Sequence, residues 1–417
     1  MKITFIQPFY KNTWESISIG YIASYCKQKY NGNLDFNFFH GNFDKDDEII
    51  SGSINSDIVA FSCTSPTFER GVKLATSIKK ENSNVNTVFG GHHVSALGLT
   101  GNINQKCIDQ IVVGEGEDAF LDILNGNNDR IVIGSKIDFK KSPWTDRDLI
   151  RNDRTIRLCN DMIGVKIASF QANRGCPHRC SFCSEKNITG LITRENPMRS
   201  RHIDDVLDEI ASVSSKYKLD KFKFVDATFD WNSRYVIEFC KRKIERNIVI
   251  PWECMIHVSS ATEDMFPWLR DSNCDQINVG CESGSQRILK AMHKGSTVES
   301  IENVFMWGKK YEIERRAFFL LGMPEETEDD IRLTDELVEK INPDYFGITI
   351  LCPYPGSDLY DKNKYRDIDW SNTDEYSNDF WFTSNFTNTE LKEWQKKLTD
   401  KYKNKLCKRQ KDMDSKL

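Results

Sequence analysis

The chain has 417 residues, and its 57 Lys and Arg against 62 Asp and Glu give a formal net charge of −5. That length exceeds one domain of about 150 residues, and 25 Phe with 9 Trp exclude a disordered chain by supplying a sizeable core. No apolar run approaches the ~18 residues of a membrane-spanning helix. The first segment, MKITFIQPF, reads as a β-strand and not as a secretory leader. Strands are expected at 3–7, 34–40, 58–63, 87–90 and 110–113, with helices near 17–29, 68–80 and 118–124 between them. Strands that are apolar throughout and alternate with helices predict a doubly wound parallel sheet, whose ligands bind at the loops after the strand C-termini. Those loops hold Ser62, Thr64 and Ser65, then Gly90, Gly91 and His92, then Gly114, Glu115 and Gly116.

Residues 130–166 are charged and without periodicity, and read as a connector. A second alternation follows, with strands expected at 167–171, 221–226, 250–258, 276–281, 316–321 and 345–351 and helices near 204–217, 233–246, 263–272, 298–310 and 328–341. Such a series of βα units predicts a partial, open (β/α)6 barrel of the TIM type, with its working face at the strand C-termini. Domains are accordingly expected at 1–130 and 166–360, joined by 131–165 and followed by a C-terminal helical extension over 361–417. The last 27 residues carry a local charge of +6, and Leu391, Trp394, Leu398, Tyr402 and Leu406 recur at helical spacing, which predicts a basic amphipathic helix.

Thirteen cysteines form an odd set, read as reduced thiols and metal ligands in a cytoplasmic protein. Three of them lie in Asn173-Arg-Gly-Cys176-Pro-His-Arg-Cys180-Ser-Phe-Cys183, directly after an expected strand. Structural zinc wants a fourth ligand, and His178 inside so tight a loop is a poor one. A 4Fe-4S cube held by three thiolates keeps one iron open to an exogenous ligand, the mark of a catalytic centre.

With Phe182 before its third cysteine, this loop resembles the signature of the radical S-adenosylmethionine (SAM) superfamily. Further matches run in order: Phe224-Val-Asp226-Ala-Thr-Phe229, Gly280-Cys-Glu282-Ser283-Gly284, Leu321-Gly322-Met-Pro324 and Cys352-Pro353-Tyr354-Pro355. The resemblance implies that Asp226 accepts from the SAM ammonium group and that Glu282 and Ser283 bond its ribose or carboxylate region. Gly284 would keep the backbone close, Gly322 would close strand five, and Pro353 would stand near the adenine. On strand three, alternation puts Glu253, Met255 and His257 on one face, so Glu253 and His257, with Tyr354 at the barrel mouth, are candidates to touch substrate.

A flavodoxin-like domain before such a barrel resembles the superfamily's cobalamin-binding branch, through Gly90-Gly91-His92-His93 and Val113-Gly114-Glu115-Gly116. This implies cobalamin contacts from the three loops named above. The D-x-H-x-x-G motif is absent after strand one, where Gln7-Pro8-Phe9-Tyr10 stands, so an imidazole ligand to the cofactor is not expected. The function implied is cobalamin-dependent methylation of an unactivated carbon or phosphorus centre in a small molecule, lipid or peptide. A one-electron reductant such as flavodoxin or ferredoxin would serve it, with no nucleic-acid partner. The alternatives are a non-methylating radical cyclisation, rearrangement or oxidation, a tRNA methylthiotransferase, and a non-catalytic cysteine–metal scaffold.

Overall fold

The computed structural model describes residues 1–98, 103–185, 198–365, 368–374 and 376–406. The chain divides into two compact units. The first comprises Met1–Thr155 with the described parts of Cys183–Pro197 and Pro353–Asp374, and the second comprises the described parts of Ile156–Phe182, Met198–Cys352 and Glu375–Leu417.

In the first unit, β1 (Lys2–Gln7), β2 (Asp35–His40), β3 (Ile58–Ser62), β4 (Asn86–Gly90), β5 (Gln110–Val113) and β6 (Ile131–Ile133) form one parallel sheet in the order β2-β1-β3-β4-β5-β6. Its helices are α1 (Ile17–Lys29), α2 (Asp46–Ser53), α3 (Ser65–Glu81), α4 (His92–Gly98) and α5 (Gly116–Leu124). The strands are apolar at successive positions because both faces are covered. Val59 and Phe61 enter one core, whereas Ile58 and Ala60 enter the other. Strand order reverses at β1, so the loops after β1 and β3 part at the switch point where doubly wound sheets bind ligands.

Two readings are corrected. The stretch after Gly90-Gly91 is not loop throughout: His92 opens α4, and Gly91 makes the turn at φ +99° with no room for a Cβ, which would lie 2.4 Å from the Cys63 carbonyl oxygen. The segment 130–166 is not irregular either. It supplies β6, a 3-10 turn at Phe139–Lys141 and the helix α6 (Asn152–Ile163). β6 is a three-residue strand with Ile131 and Ile133 exposed, too short for a periodic signal.

In the second unit, β7 (Ile167–Phe170), β10 (Lys221–Phe224), β11 (Trp252–Ile256), β12 (Cys274–Glu282), β13 (Glu314–Leu321) and β14 (Tyr345–Ile350) pair in parallel in the order β14-β13-β12-β11-β10-β7. β7 and β14 are the two edges, so this is the open (β/α)6 partial barrel expected. A two-residue pair, β8 (Asn173–Arg174) with β9 (Arg199–Ser200), stands beyond the end of β7. The helices are α7 (Ile203–Tyr217), α8 (Ser233–Glu245), α9 (Phe266–Asp271), α10 (Gln286–Ala291), α11 (Val298–Lys310) and α12 (Glu328–Ile341). Trp252, Phe222, Phe224, Phe229 and Phe239 pack ring on ring between the sheet and α8.

The C-terminal helix α13 (Asn388–Lys401) is shorter than its apolar spacing suggests, because a 3-10 turn at Lys403–Lys405 follows it; 407–417 lie outside the described residues. It buries Leu391 and Leu398, and Lys401 in its last turn pairs with Asp335 and Glu339 of α12. Among the described residues no helix is long and apolar enough to cross a membrane.

Candidate functional site

The cysteine loop leaves the C-terminal end of β7 and is fastened at its start by Asp226, just beyond β10. This buried carboxylate accepts from the Ala172 N–H (2.9 Å), the Asn173 N–H (3.0 Å) and Asn173 Nδ2 (2.8 Å). Burial pushes the Asp226 carboxyl up to about 7, against the pull of those donors and of Arg201. Asn173 Oδ1 accepts in turn from Ser200 Oγ (2.6 Å) and Trp231 Nε1 (3.1 Å). Both Asp226 oxygens are therefore engaged by the loop, which gives this carboxylate a positioning role alongside the SAM ammonium role expected for it.

Further along, Cys180 is buried, Cys176 is half-buried, and the Ser181 N–H donates to the Met292 carbonyl at 2.8 Å, latching the loop to the end of α10. Phe182 and Cys183 are half-buried. None of the twelve described cysteines is in a disulfide. Among the described residues no three His, Cys, Asp or Glu groups converge as they would around one metal ion. A four-iron cube needs no such convergence, since each thiolate takes its own iron. The donor set fits a cube with one open iron and does not fit a closed zinc site.

His178 stacks on His257, ring centroids 3.4 Å apart and planes 10° apart, and its Nε2 lies 3.3 Å from Ser260 Oγ. Burial first, and then the Lys294 ammonium, hold both imidazoles neutral, with His178 lowered to about 4 and His257 to about 2. His257, expected to touch substrate, is thus packed against the cysteine loop. Glu253 is likewise elsewhere: near the N-terminal end of β11, it pairs with Lys221 (2.8 Å), which also holds Asp275 (2.7 Å). That is the rim opposite the cysteine loop.

Glu282 ends β12 in the left-handed region, at φ +64°, and pairs with the buried Lys294 at 3.0 Å. Burial alone would lower the Lys294 ammonium, but Glu282 and then Cys180 outweigh it and hold it above its ordinary value. Ser283 and Gly284 do structural work. Ser283 Oγ accepts from the Ser285 N–H (3.1 Å), and the Gly284 N–H donates to Thr334 Oγ1 (2.9 Å). A Cβ on Gly284 would lie 2.2 Å from the Leu333 carbonyl oxygen, so the absence of a side chain here admits α12. Gly322 turns at φ +91°; its N–H donates to Glu326 Oε2 (2.5 Å) and its carbonyl accepts from Trp381 Nε1 (2.7 Å). Pro353 is buried, and the Tyr354 ring lies 5.8 Å from that of Trp370.

At the C-terminal edge of the first sheet, Ser62 ends β3, Thr64 caps α3 through Thr67, and Ser65 Oγ meets His93 Nδ1 at 3.0 Å. Burial lowers His93 to about 4. Gly90 ends β4, and His92 lies exposed near Glu185 at 3.9 Å. The Gly114 N–H donates to Ser95 Oγ (3.0 Å), Glu115 precedes α5, and a Cβ on Gly116 would lie 2.5 Å from Ile22 Cδ1. Sequence reasoning missed the cleft at the switch point, which is lined by Gln7, Tyr10, Trp14, His40, Asn42 and Thr64 among others. Only Thr64 was expected there, and the position after β1 was the one available signal. Both His40 nitrogens are engaged, Nε2 with the Trp14 carbonyl (3.0 Å) and Nδ1 accepting from the Asn42 N–H (3.2 Å). An edge of amides, hydroxyls and glycine turns fits a large, amide-fringed cofactor, and His40 is not disposed to ligate its metal.

Comparison with known proteins identifies both domains. The family model of the Radical SAM superfamily matches residues 171–338, and that of the B12 binding domain matches 10–124. An uncharacterized methyltransferase of Pyrococcus horikoshii is 26% identical over 364 residues, covering 84% of this chain and 78% of its own. The anaerobic magnesium-protoporphyrin IX monomethyl ester cyclase of Rubrivivax gelatinosus is 25% identical over 393 residues, covering 86% and 69%. Among solved structures, the radical SAM methyltransferase TsrM of Kitasatospora setae, with cobalamin and a [4Fe-4S] cluster bound, superimposes with TM-score 0.68 at 15% identity, covering 86% of this chain and 76% of its own. At that identity the likeness speaks for the fold alone.

The chain is a radical SAM protein. Within that superfamily it belongs to the cobalamin-binding branch, and its cofactors are a 4Fe-4S cluster, SAM and cobalamin.

Proposed function

We propose that this chain is a cobalamin-dependent radical SAM methyltransferase acting on an unactivated carbon or phosphorus centre of a small molecule, lipid or peptide. One observation carries the reading: a single chain joins a B12 binding domain to a Radical SAM domain, with an open C-x-x-x-C-x-x-C loop after the barrel's first strand. Cys176, Cys180 and Cys183 would hold the cluster. Phe182, Asp226, Glu282, Ser283, Gly284, Gly322 and Pro353 are the proposed surroundings of SAM, and Ser62, Thr64, Ser65, Gly90, Gly91, His92, Gly114, Glu115 and Gly116 those of cobalamin. When bound, these cofactors supply one-electron cleavage of a sulfonium C–S bond and a carrier for a methyl group.

The chain's own part is placement. Asp226 and Met292 fix the two ends of the cysteine loop, and the Glu282–Lys294 pair keeps a compensated charge beside it. An external one-electron reductant of the flavodoxin or ferredoxin class, in a cytoplasmic setting, would complete the system. The test uses anaerobically reconstituted protein under reduction with methyl-labelled SAM. The reading expects a cobalamin absorption spectrum, 5′-deoxyadenosine and labelled methyl in product. Deoxyadenosine without methyl transfer would instead favour non-methylating radical chemistry, and absence of both would overturn the reading.

A further inference from the structure

The inner face of the barrel is polar and partly open. On β10, Phe222 packs outward on Trp252 and Phe224 on Phe239 of α8, so alternation turns Lys223 and then Val225 inward. On β13, Arg315 Nη1 donates to the Phe305 carbonyl of α11 (3.3 Å), which leaves Arg316 and Phe318 on the inner face. On β12, a Cβ on Gly308 of α11 would meet Ile277 Cδ1 at 3.5 Å, so Ile277 is the outward residue and Asn278 the inward one. Met255, Asn278 and Arg316 stand side by side in register across β11, β12 and β13. Closed (β/α)8 barrels fill such layers with branched apolar side chains. Here Val225 is 42% exposed and Lys223, Met255, Arg316 and Phe318 are half-buried, so the layers leave a lumen open to solvent.

Charge in this lumen is sorted by height. Toward the strand N-termini, Lys221 is matched by Glu253 and Asp275, and toward the C-termini Lys294 is matched by Glu282. Among the described residues, the strands' inner face between these two groups holds Lys223 and Arg316 and no carboxylate. Lys223 makes no ion pair or hydrogen bond among the described residues, although Glu253, engaged by Lys221, is its register neighbour. The Arg316 guanidinium lies over the Phe318 ring, 4.7 Å from its centroid, which steadies its planar fork. β10 and β13 are three strand spacings apart, about 14 Å along the curved sheet and less across the lumen. A half-buried ammonium without a partner favours an anion beside it. Two residues further along β13, about 7 Å nearer the strand C-termini, the lining turns apolar at Phe318, with Val225 at the corresponding end of β10.

Resting on the methyltransferase reading above, we propose that the substrate is an amphipathic anion, whose carboxylate or phosphate is held in the lumen by Arg316 and Lys223 and whose apolar body lies along Phe318 and Val225 toward the cysteine loop. The guanidinium fork matches either oxyanion and Lys223 adds a point charge, so the two side chains set how deep the substrate sits and which of its atoms faces the strand C-termini. The test titrates hexyl phosphate, hexanoate and hexan-1-ol by calorimetry into the full chain loaded with cluster, cobalamin and SAM, without reductant. The expected result is that at least one anion binds about tenfold or more tightly than hexan-1-ol, and the preferred anion identifies the oxyanion. Arg316→Gln and Lys223→Gln should each raise the Kd of that anion about fivefold or more and leave hexan-1-ol unchanged, while Lys309→Gln, on the exposed side of α11, changes neither. Anions that bind the wild type no more tightly than hexan-1-ol overturn the proposal, and this comparison needs no variant to fold. An unchanged Kd in either inner-face variant overturns it too, as does an equal loss of SAM affinity, which would assign these residues to SAM. Formation of 5′-deoxyadenosine and transfer of labelled methyl by the wild type under reduction test the underlying reading separately: their absence overturns that reading, whereas their presence with the anions rejected overturns the proposal alone.

Discussion

Asp226 and Asn173 are 53 residues apart in sequence, yet the Asp226 carboxylate binds both the backbone N–H and the side-chain amide of Asn173, at 3.0 and 2.8 Å. The end of the barrel's second strand therefore sets the first residue of the cysteine loop. Asp226→Ala would leave three buried donors unmatched, at about 1–3 kcal/mol for each group left unpaired. The expected outcome is a lower melting temperature and fewer than four irons per chain after reconstitution, measured by iron and sulfide analysis. A variant with full iron content and wild-type stability would show that the loop sets itself.

The outline of this fold was open to reading in the sequence for a physical reason. Strands buried on both faces are apolar at every position, as Ile58 to Phe61 are, and the cysteines disclose their chemistry by spacing alone. What stayed hidden depends on distant partners. Nothing near Asp226 tells that its oxygens are taken by Ala172 and Asn173, and nothing near Gly284 tells that Leu333 passes over it. The β1–α1 loop carries no periodicity, so its anchoring through Asn42 and Asp374 appears only in three dimensions.

Gly284 gives a sharp steric prediction. Its missing Cβ would meet the Leu333 carbonyl oxygen at 2.2 Å and carbon at 2.6 Å, both backbone atoms of α12 that cannot swing aside. Gly284→Ala should therefore cost about 1–3 kcal/mol or more, as overpacking does. Gly126→Ala is the contrast: φ is +98° but nothing lies within 4 Å, so only backbone strain of ~1 kcal/mol is expected. Urea denaturation of the two variants should rank them in that order.

Glu326 predicts a pH dependence. Burial raises its carboxyl to about 8, outweighing the Gly322 N–H that favours the ionised form. A folded-state value above the unfolded one near 4.5 means the native chain keeps a proton that the unfolded chain has lost. Glu326 thus contributes stability that is whole below about pH 4.5 and disappears as pH rises through about 8. Glu326→Gln should flatten the fall in unfolding free energy between pH 6 and 8. A wild-type slope retained in this variant would assign the titration elsewhere, with the raised Asp226 and Asp230 carboxyls next in line.

The Glu282–Lys294 pair offers a test by double substitution. Lys294 is 5% exposed, so removing its partner strands an ammonium in the interior. Glu282→Gln should destabilise the cluster-loaded, SAM-free chain by about 3–5 kcal/mol, and Lys294→Met by a similar amount. The double variant should recover most of that loss, because an uncharged pair removes the cost of burying charge along with the attraction. If the two losses simply add, the ion pair is not the source of the coupling. Denaturation midpoints of the four proteins decide between these outcomes, and the same samples carry an independent check. Lys294 also faces Cys180, which contributes to its raised value. Lys294→Met should therefore lower the cluster's reduction potential, since a nearby positive charge favours the added electron.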